Sequence, residues 1–206
     1  MPSVPDRAQI DRVIWKLQDR LRSLRDFDRG IDSRPSESTK RRHLLRVFRE
    51  RGHRVFIESG TYLGDTVEFF LPHAAEIVSV ELDEPLFRTA RARFESRSNV
   101  RILHGDSTDL IPVEVARASH PPFVWLDGHW SGPGTALGEE PEPALTILRR
   151  LEVTGIAPGT TVMIDDVRLL GSPEAPLPLA EVVSAAAALS PNGRVSVSFD
   201  ALVIRA

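Results

Sequence analysis

The sequence predicts an α/β domain built on a mostly parallel sheet, with helices packed on both faces of the sheet. From Arg54 onward, short runs rich in β-branched and aromatic residues alternate with longer runs of helical spacing. This alternation is typical of β-α-β units. Near the C-terminus, two further strand-like runs are joined by only about one residue, Asp200, which predicts an antiparallel hairpin at the sheet edge.

Composition restricts the class of protein. Of the 206 residues, 41% are hydrophobic and 27% are charged, which is ordinary for a globular domain. The sequence has no apolar run long enough to span a bilayer and no secretory signal, so we expect a cytoplasmic protein with no membrane partner. The sequence has no cysteine, which excludes disulfides and thiol nucleophiles, so any metal must have oxygen or imidazole ligands.

We divide the chain into an N-terminal helical cap or docking segment, residues 1–53, and a main domain, residues 54–206. Residues 1–54 contain 15 lysines and arginines against 8 aspartates and glutamates, so a basic segment precedes an acidic body. Apolar residues recur at helical spacing from Ile10 to Leu24. We interpret this stretch as an amphipathic helix that packs on the domain or on a second copy in a homodimer, rather than as a nucleic-acid-binding arm.

The remaining elements follow in order. A turn at 33–39 precedes a helix that Ser38 or Thr39 caps and that extends to about Arg51. The strands of the main domain are predicted over 54–59, 76–82, 99–105, 123–127, 160–166, 194–199 and 201–206. The helices between them are predicted over 65–75, 83–94, from about 108, over 143–155 and over about 179–189.

The first strand end carries a turn suited to a ligand. In open α/β sheets, ligands bind beyond the carboxyl ends of the strands. Glu58 ends this strand, and Gly60 and Gly64 lie in the turn that opens the next helix. Glycines allow the backbone to approach a ligand, and the N–H groups of a helix start favour an anion. The two glycines depart from the G-x-G-x-x-G pattern, which argues against an NAD-dependent oxidoreductase.

The next two strand ends carry candidate nucleoside ligands. Glu81 lies 21 residues after Gly60, a distance that suits an acid binding ribose hydroxyls. Asp83 competes for this role, but the proline two positions later favours a helix cap for it. At the third strand end, Asp106 and Ser107 can hold an adenine amine, and a cap on the following helix explains Asp106 equally well.

Together these stretches resemble the class I methyltransferases that use S-adenosylmethionine. The stretches are IESGTYLGD, VSVELD, ILHGDS and FVWLDG, and the resemblance covers about residues 54–206. It implies a Rossmann-like, doubly wound sheet of seven strands. It also implies that the glycine turn holds the methionine moiety, the second strand end the ribose and the third the adenine. The implied cofactor contacts are Glu58, Gly60, Thr61, Tyr62, Gly64, Glu81, Leu82, Asp106, Ser107 and Asp127.

Three carboxylates, those of Asp127, Asp165 and Asp166, are expected to converge where the fourth and fifth strands end. Converging carboxylates repel one another unless a cation is present, and oxygen ligands suit Mg²⁺ or Mn²⁺. We therefore predict a divalent metal ion held by these three residues. Capping of a turn is the alternative for Asp165 and Asp166. The pattern resembles the magnesium-dependent sugar O-methyltransferases of the macrocin type, in which the metal binds two vicinal hydroxyls of the acceptor.

His129 stands two positions after Asp127, where that family has an acidic base. Histidine titrates near neutrality and can take a hydroxyl proton, so we interpret His129 and Asp127 as catalytic. A metal-ligating His129 with no proton-transfer role is the alternative. Trp130 is expected to wall the acceptor pocket, and Arg168 to contact an acidic acceptor group or to neutralise the aspartates.

These observations predict a metal-assisted O-methyltransferase that acts on a small hydroxylated molecule, such as a sugar or natural product. Two alternatives from other classes are a module that binds S-adenosylmethionine without turnover and an NAD-dependent oxidoreductase. An RNA methyltransferase acting through the basic segment would bind RNA with strong salt dependence.

Overall fold

Seven strands form one sheet in the computed structural model, which describes residues 35–127, 143–173 and 175–206. The strands are β1 Val55–Ser59, β2 Glu76–Glu81, β3 Val100–His104, β4 Phe123–Leu126, β5 Thr161–Ile164, β6 Arg194–Ser198 and β7 Ala201–Arg205. Their order is β3-β2-β1-β4-β5-β7-β6. The first five are parallel, and β7 is antiparallel to β5 and β6. The predicted seven-stranded sheet with a closing hairpin is confirmed.

Helices cover both faces of the sheet, as a doubly wound fold requires. They are α1 Glu37–Glu50, α2 Asp65–Phe70, α3 Glu84–Phe94, α4 Ser107–Arg117, α5 Ala144–Thr154 and α6 Leu179–Leu189, and a 3-10 turn spans Val167–Leu169. The first three helices pack on one face and the last three on the other. Within the described ranges, no helix is long and apolar enough to cross a membrane.

The side chains of β4 show how the sheet divides the core. Phe123 and Trp125 pack in the cluster that includes α1 and α2, whereas Val124 and Leu126 pack in the cluster that includes α5 and α6. All four side chains are buried. A strand covered on both faces has no solvent-facing positions, and this explains its continuous apolar sequence.

The helix α1 begins two or three residues earlier than predicted. Ser36 is the cap, since its hydroxyl oxygen accepts a hydrogen bond from the Thr39 backbone N–H at 3.2 Å. The predicted caps, Ser38 and Thr39, therefore lie inside the first turn. Glu37 is in the same turn, where its negative charge interacts favourably with the positive end of the helix dipole. The predicted helix between Ile10 and Leu24, with its homodimer contact, lies outside the described residues.

Two other boundaries differ from prediction. The helix α2 ends at Phe70 and not near residue 75, because Pro72 has no N–H group to continue the helical hydrogen bonds. The β6–β7 hairpin has a two-residue loop, Phe199 and Asp200, whose φ angles are 52° and 62°. Positive φ at both positions matches the twist of the paired strands.

Candidate functional site

The strand order reverses between β1 and β4, and the carboxyl ends of the parallel strands meet at that edge. Ser59 lies beside Leu126, and Leu126 lies beside Ile164. An open α/β sheet binds its ligands in the crevice at such a reversal. A small cleft is present there, and its lining includes Ser59, Leu126, Ala144, Ile164, Asp165 and Asp166.

Glu58 is a buried acid in β1, with 1% of its surface exposed. Its Oε1 accepts a hydrogen bond from the Ser79 hydroxyl at 2.7 Å, and the Ser79 and Thr61 hydroxyls are 2.5 Å apart. Burial raises the pKa of Glu58 from 4.5 to about 8, against the opposing effects of the Ser79 hydrogen bond and the Arg41 charge. Glu58 is a predicted cofactor contact, and in this structure its carboxyl group accepts its hydrogen bond from Ser79 on β2.

The glycine turn after β1 has an unusual backbone. Gly60, Tyr62 and Gly64 all have positive φ, at 83°, 48° and 76°. A β-carbon on Gly64 would lie 2.6 Å from the Phe94 ring, so only glycine fits that close approach. The Gly60 and Thr61 N–H groups both donate to the Val80 carbonyl. The turn is thereby fixed against β2, with the Tyr62 side chain exposed.

Two acidic residues, Glu81 and Asp83, lie at the end of β2 and accept different hydrogen bonds. The carboxylate of Glu81 accepts hydrogen bonds from the backbone N–H groups of Tyr62, at 2.7 Å, and Asp83, at 2.9 Å. Asp83 caps α3 by accepting from the Leu86 N–H at 2.9 Å, as predicted. Glu81 therefore lies beside the glycine turn, at the carboxyl end of β2. The Leu82 carbonyl lies 3.1 Å from His104 Nε2.

At the end of β3, Asp106 caps α4. Its Oδ1 accepts from the Thr108 N–H at 2.7 Å, and Ser107 is the first helical residue. The capping interpretation of Asp106 is thus confirmed, and the predicted adenine contacts of Asp106 and Ser107 stay predictions.

A lysine that the sequence analysis missed lies at the aspartate pair after β5. The Nζ of Lys40, on α1, donates to Asp165 Oδ2 at 2.8 Å and to Asp166 Oδ1 at 2.6 Å. Lys40 is 4% exposed. Burial by itself lowers the pKa of an ammonium, but the two carboxylates outweigh burial and raise the pKa of Lys40 above its ordinary value. Lys16 and Lys40 are the only lysines among 26 basic residues, but this scarcity does not show which acidic residues Lys40 contacts.

The three predicted metal ligands differ in their electrostatics. Burial, followed by repulsion from Asp165, raises the pKa of Asp127 well above its ordinary range. Burial raises the pKa of Asp165 to about 6, with Lys40 opposing the rise. At Asp166, burial is outweighed by Arg168 and Lys40, so its pKa is lowered. Asp166 also adopts a left-handed backbone, with φ 52°, and donates its N–H to Asp165 Oδ1 at 2.7 Å.

Arg168 is a second cation beside the aspartate pair, and it connects Asp166 to the β6–β7 hairpin loop. Its Nη1 donates to Asp166 Oδ1 at 2.6 Å and to the carboxylate of Asp200 in the hairpin loop. Its backbone N–H donates to Asp200 Oδ1 at 2.9 Å. Of the two roles predicted for Arg168, this geometry favours neutralisation of the aspartates.

The arrangement does not fit the predicted divalent ion. Lys40 Nζ lies where a cation bridging Asp165 and Asp166 would bind. In the part of the chain that the structure describes, no group of three or more acidic or histidine side chains is arranged to hold a metal. His129 and Trp130 lie outside the described residues, and their roles stay predictions.

Comparison with solved structures identifies the fold. A methyltransferase of Podospora anserina with bound S-adenosylhomocysteine is 15% identical, with a TM-score of 0.59, over 100% of this chain and 99% of that chain. The O-methyltransferase TomG of tomaymycin synthesis in Streptomyces achromogenes, in complex with S-adenosylmethionine, is 18% identical, with a TM-score of 0.53, over 98% and 91%.

An O-methyltransferase of Bacillus cereus in complex with S-adenosylhomocysteine is 14% identical, with a TM-score of 0.55, over 97% of this chain and 90% of that chain. No family model and no curated protein sequence matches the chain. At these identities the likeness establishes the fold, which is the Rossmann-like fold of S-adenosylmethionine-dependent methyltransferases.

Proposed function

We propose that this protein is an S-adenosylmethionine-dependent methyltransferase that methylates oxygen on a small hydroxylated acceptor. The observation that carries the proposal is the placement of Glu81. Two backbone N–H groups, one of them in the glycine turn, orient its carboxylate at the carboxyl end of β2, the strand next to β1. An oriented carboxylate at the end of β2 suits a pair of ribose hydroxyls.

Buried polar atoms support a bound cofactor of this kind. Among the described residues, three buried side-chain polar atoms have no hydrogen-bond partner, and two of them are the Ser59 hydroxyl and Arg41 Nε. Such an atom costs about 1–3 kcal/mol if it stays unpaired, so both are suited to ligand contacts. Ser59 lines the cleft. Arg41 lies close enough to Glu58 to lower its pKa, and its guanidinium suits the carboxylate of the methionine moiety.

The other residues fit the remainder of the cofactor. Thr61, Tyr62 and the two glycines of the turn would surround the methionine moiety. The free oxygen of Asp106, with Ser107, would hold the adenine amine. When bound, S-adenosylmethionine would supply a methyl group on a positively charged sulfur. Transfer of that methyl group to an acceptor oxygen would break the carbon–sulfur bond and leave S-adenosylhomocysteine.

The acceptor side of the crevice carries polar groups. Asp127, Asp165 and Asp166 follow strands β4 and β5, and Lys40 and Arg168 balance the charge of Asp165 and Asp166. We assign His129 as the base for the acceptor proton, because an imidazole can accept a proton from a hydroxyl group. The descriptions of two structural neighbours as O-methyltransferases favour oxygen as the atom methylated.

The test is calorimetric titration with S-adenosylhomocysteine of wild type, Glu81→Gln and the control Glu84→Gln. Glu84 is an exposed acid three residues further along the chain. A lost charged hydrogen bond is worth about 1.5–3 kcal/mol, so we expect affinity to fall by about 10- to 100-fold in Glu81→Gln only. Thermal melts identify any unfolding of the variant. Absence of binding to wild type would refute the proposal, and equal affinity of both variants would remove Glu81 from it.

A further inference from the structure

We propose that Lys40 occupies the place that a divalent metal ion takes in a metal-assisted site, so that Asp165 and Asp166 meet the acceptor directly. On this proposal the crevice needs no divalent ion. Lys40 is a positioning residue that acts through the two carboxylates.

The contacts of the ammonium carry the inference. Its distances of 2.8 Å and 2.6 Å to one oxygen of each aspartate are those of charge-assisted hydrogen bonds. All three side chains are buried. A buried carboxylate pair without a cation would carry uncompensated charge, which is strongly destabilising. Lys40 therefore supplies the compensation for which the sequence alone had suggested a metal.

The helix that carries Lys40 is fixed in place. Leu44, Val47 and Phe48 on α1 belong to the core. One turn after Lys40, His43 Nε2 lies 2.9 Å from the Ser198 hydroxyl, and its ring packs against that of Phe199 in a tilted arrangement, with 4.6 Å between the ring centroids. Withdrawal of the ammonium would require either a rotamer change in a packed interior or movement of the helix.

A metal ion and this ammonium exclude one another. Mg²⁺ requires oxygen ligands at about 2.0–2.1 Å in near-octahedral geometry. With Nζ within hydrogen-bond distance of both carboxylates, a bridging ion would meet the ammonium at short range and be repelled. Arg168 adds a second positive charge at Asp166.

The pairing of Lys40 with Asp165 and Asp166 also indicates which hydrogen-bonding groups the acceptor carries, and this step rests on the proposed function. Ionised carboxylates only accept hydrogen bonds. Asp165 and Asp166 line the cleft and would therefore bind an acceptor that presents O–H or N–H donors to them. A metal, by contrast, would bind the oxygen lone pairs of the acceptor.

The experiment titrates Mn²⁺ into metal-stripped protein and follows the loss of the free-ion electron paramagnetic resonance signal. The proteins compared are wild type, Asp165→Asn, Lys40→Met, the double variant Lys40→Met/Asp165→Asn and the control Arg42→Met, which removes an exposed cation from the same helix. We expect no Mn²⁺ binding by wild type or by Arg42→Met. Lys40→Met is expected to bind one equivalent and to gain thermal stability from Mn²⁺, whereas the double variant is expected to do neither.

Mn²⁺ binding by wild type that Asp165→Asn abolishes would overturn the proposal. So would a Lys40→Met protein that neither binds Mn²⁺ nor is stabilised by it, since a merely structural lysine would behave in that way. If Lys40→Met folds only with Mn²⁺ present, the proposal is supported. Because no cofactor enters these titrations, failure of S-adenosylhomocysteine binding leaves their outcome unchanged and removes only the acceptor step.

Discussion

Replacement of Glu58 by glutamine is expected to change how stability depends on pH. Burial raises the pKa of Glu58 from 4.5 to about 8. Between these values the folded protein keeps the carboxyl proton and the unfolded chain has lost it, so the unfolded state binds fewer protons. The free energy of unfolding contributed by this group therefore falls as pH rises through the window, and the fall ends above about pH 8.

The pKa shift corresponds to about 5 kcal/mol, and relaxation around the ionised group reduces this, so we expect about 2–5 kcal/mol. The neutral Glu58→Gln side chain can still accept the Ser79 hydrogen bond and has no proton to lose. Urea unfolding at several values from about pH 5 to about pH 9 should show wild type losing stability relative to Glu58→Gln as pH rises. The control Glu152→Gln changes an exposed acid and should run parallel to wild type. If Glu58→Gln also runs parallel, the reasoning is refuted.

Two further variants test the packing around the site. Burial, with the charges of Arg46 and Arg205, lowers the pKa of His43 to about 4, so its contribution to stability is lost as pH falls from about 6.5 to about 4. His43→Gln should flatten the acid limb of the urea-unfolding profile, and the exposed control His120→Gln should not. Gly64→Ala should lower the free energy of unfolding by about 1–3 kcal/mol more than Gly52→Ala. Both glycines have positive φ, but only at Gly64 would a β-carbon meet a ring. Equal losses of stability in the two variants would contradict this prediction, because they would show that the Phe94 ring moves aside without an energetic penalty.

Much of the fold could be predicted because its pattern is local. Buried parallel strands such as β4 and β5 are continuous apolar runs, and Asp83 lies directly before the helix that it caps. The cap of α1 was misplaced because several hydroxyl residues in a row are equally suitable from sequence alone.

Lys40 could not be paired from the sequence, since its partners lie 125 and 126 residues away. Charge reasoning correctly required a cation beside Asp165 and Asp166, but spacing cannot show that a side chain of the N-terminal helix supplies it. The burial of the Glu58 carboxyl group could not be predicted from the sequence either, because it depends on tertiary packing of residues that are distant in the chain.

The most direct test of the account is calorimetric titration of metal-stripped wild type with S-adenosylmethionine and, separately, with NAD. The account predicts a binding heat with S-adenosylmethionine that added Mg²⁺ does not change, and none with NAD. Binding of NAD without binding of S-adenosylmethionine, or no heat with either, would contradict the proposal that the crevice beside Glu81 serves methyl transfer.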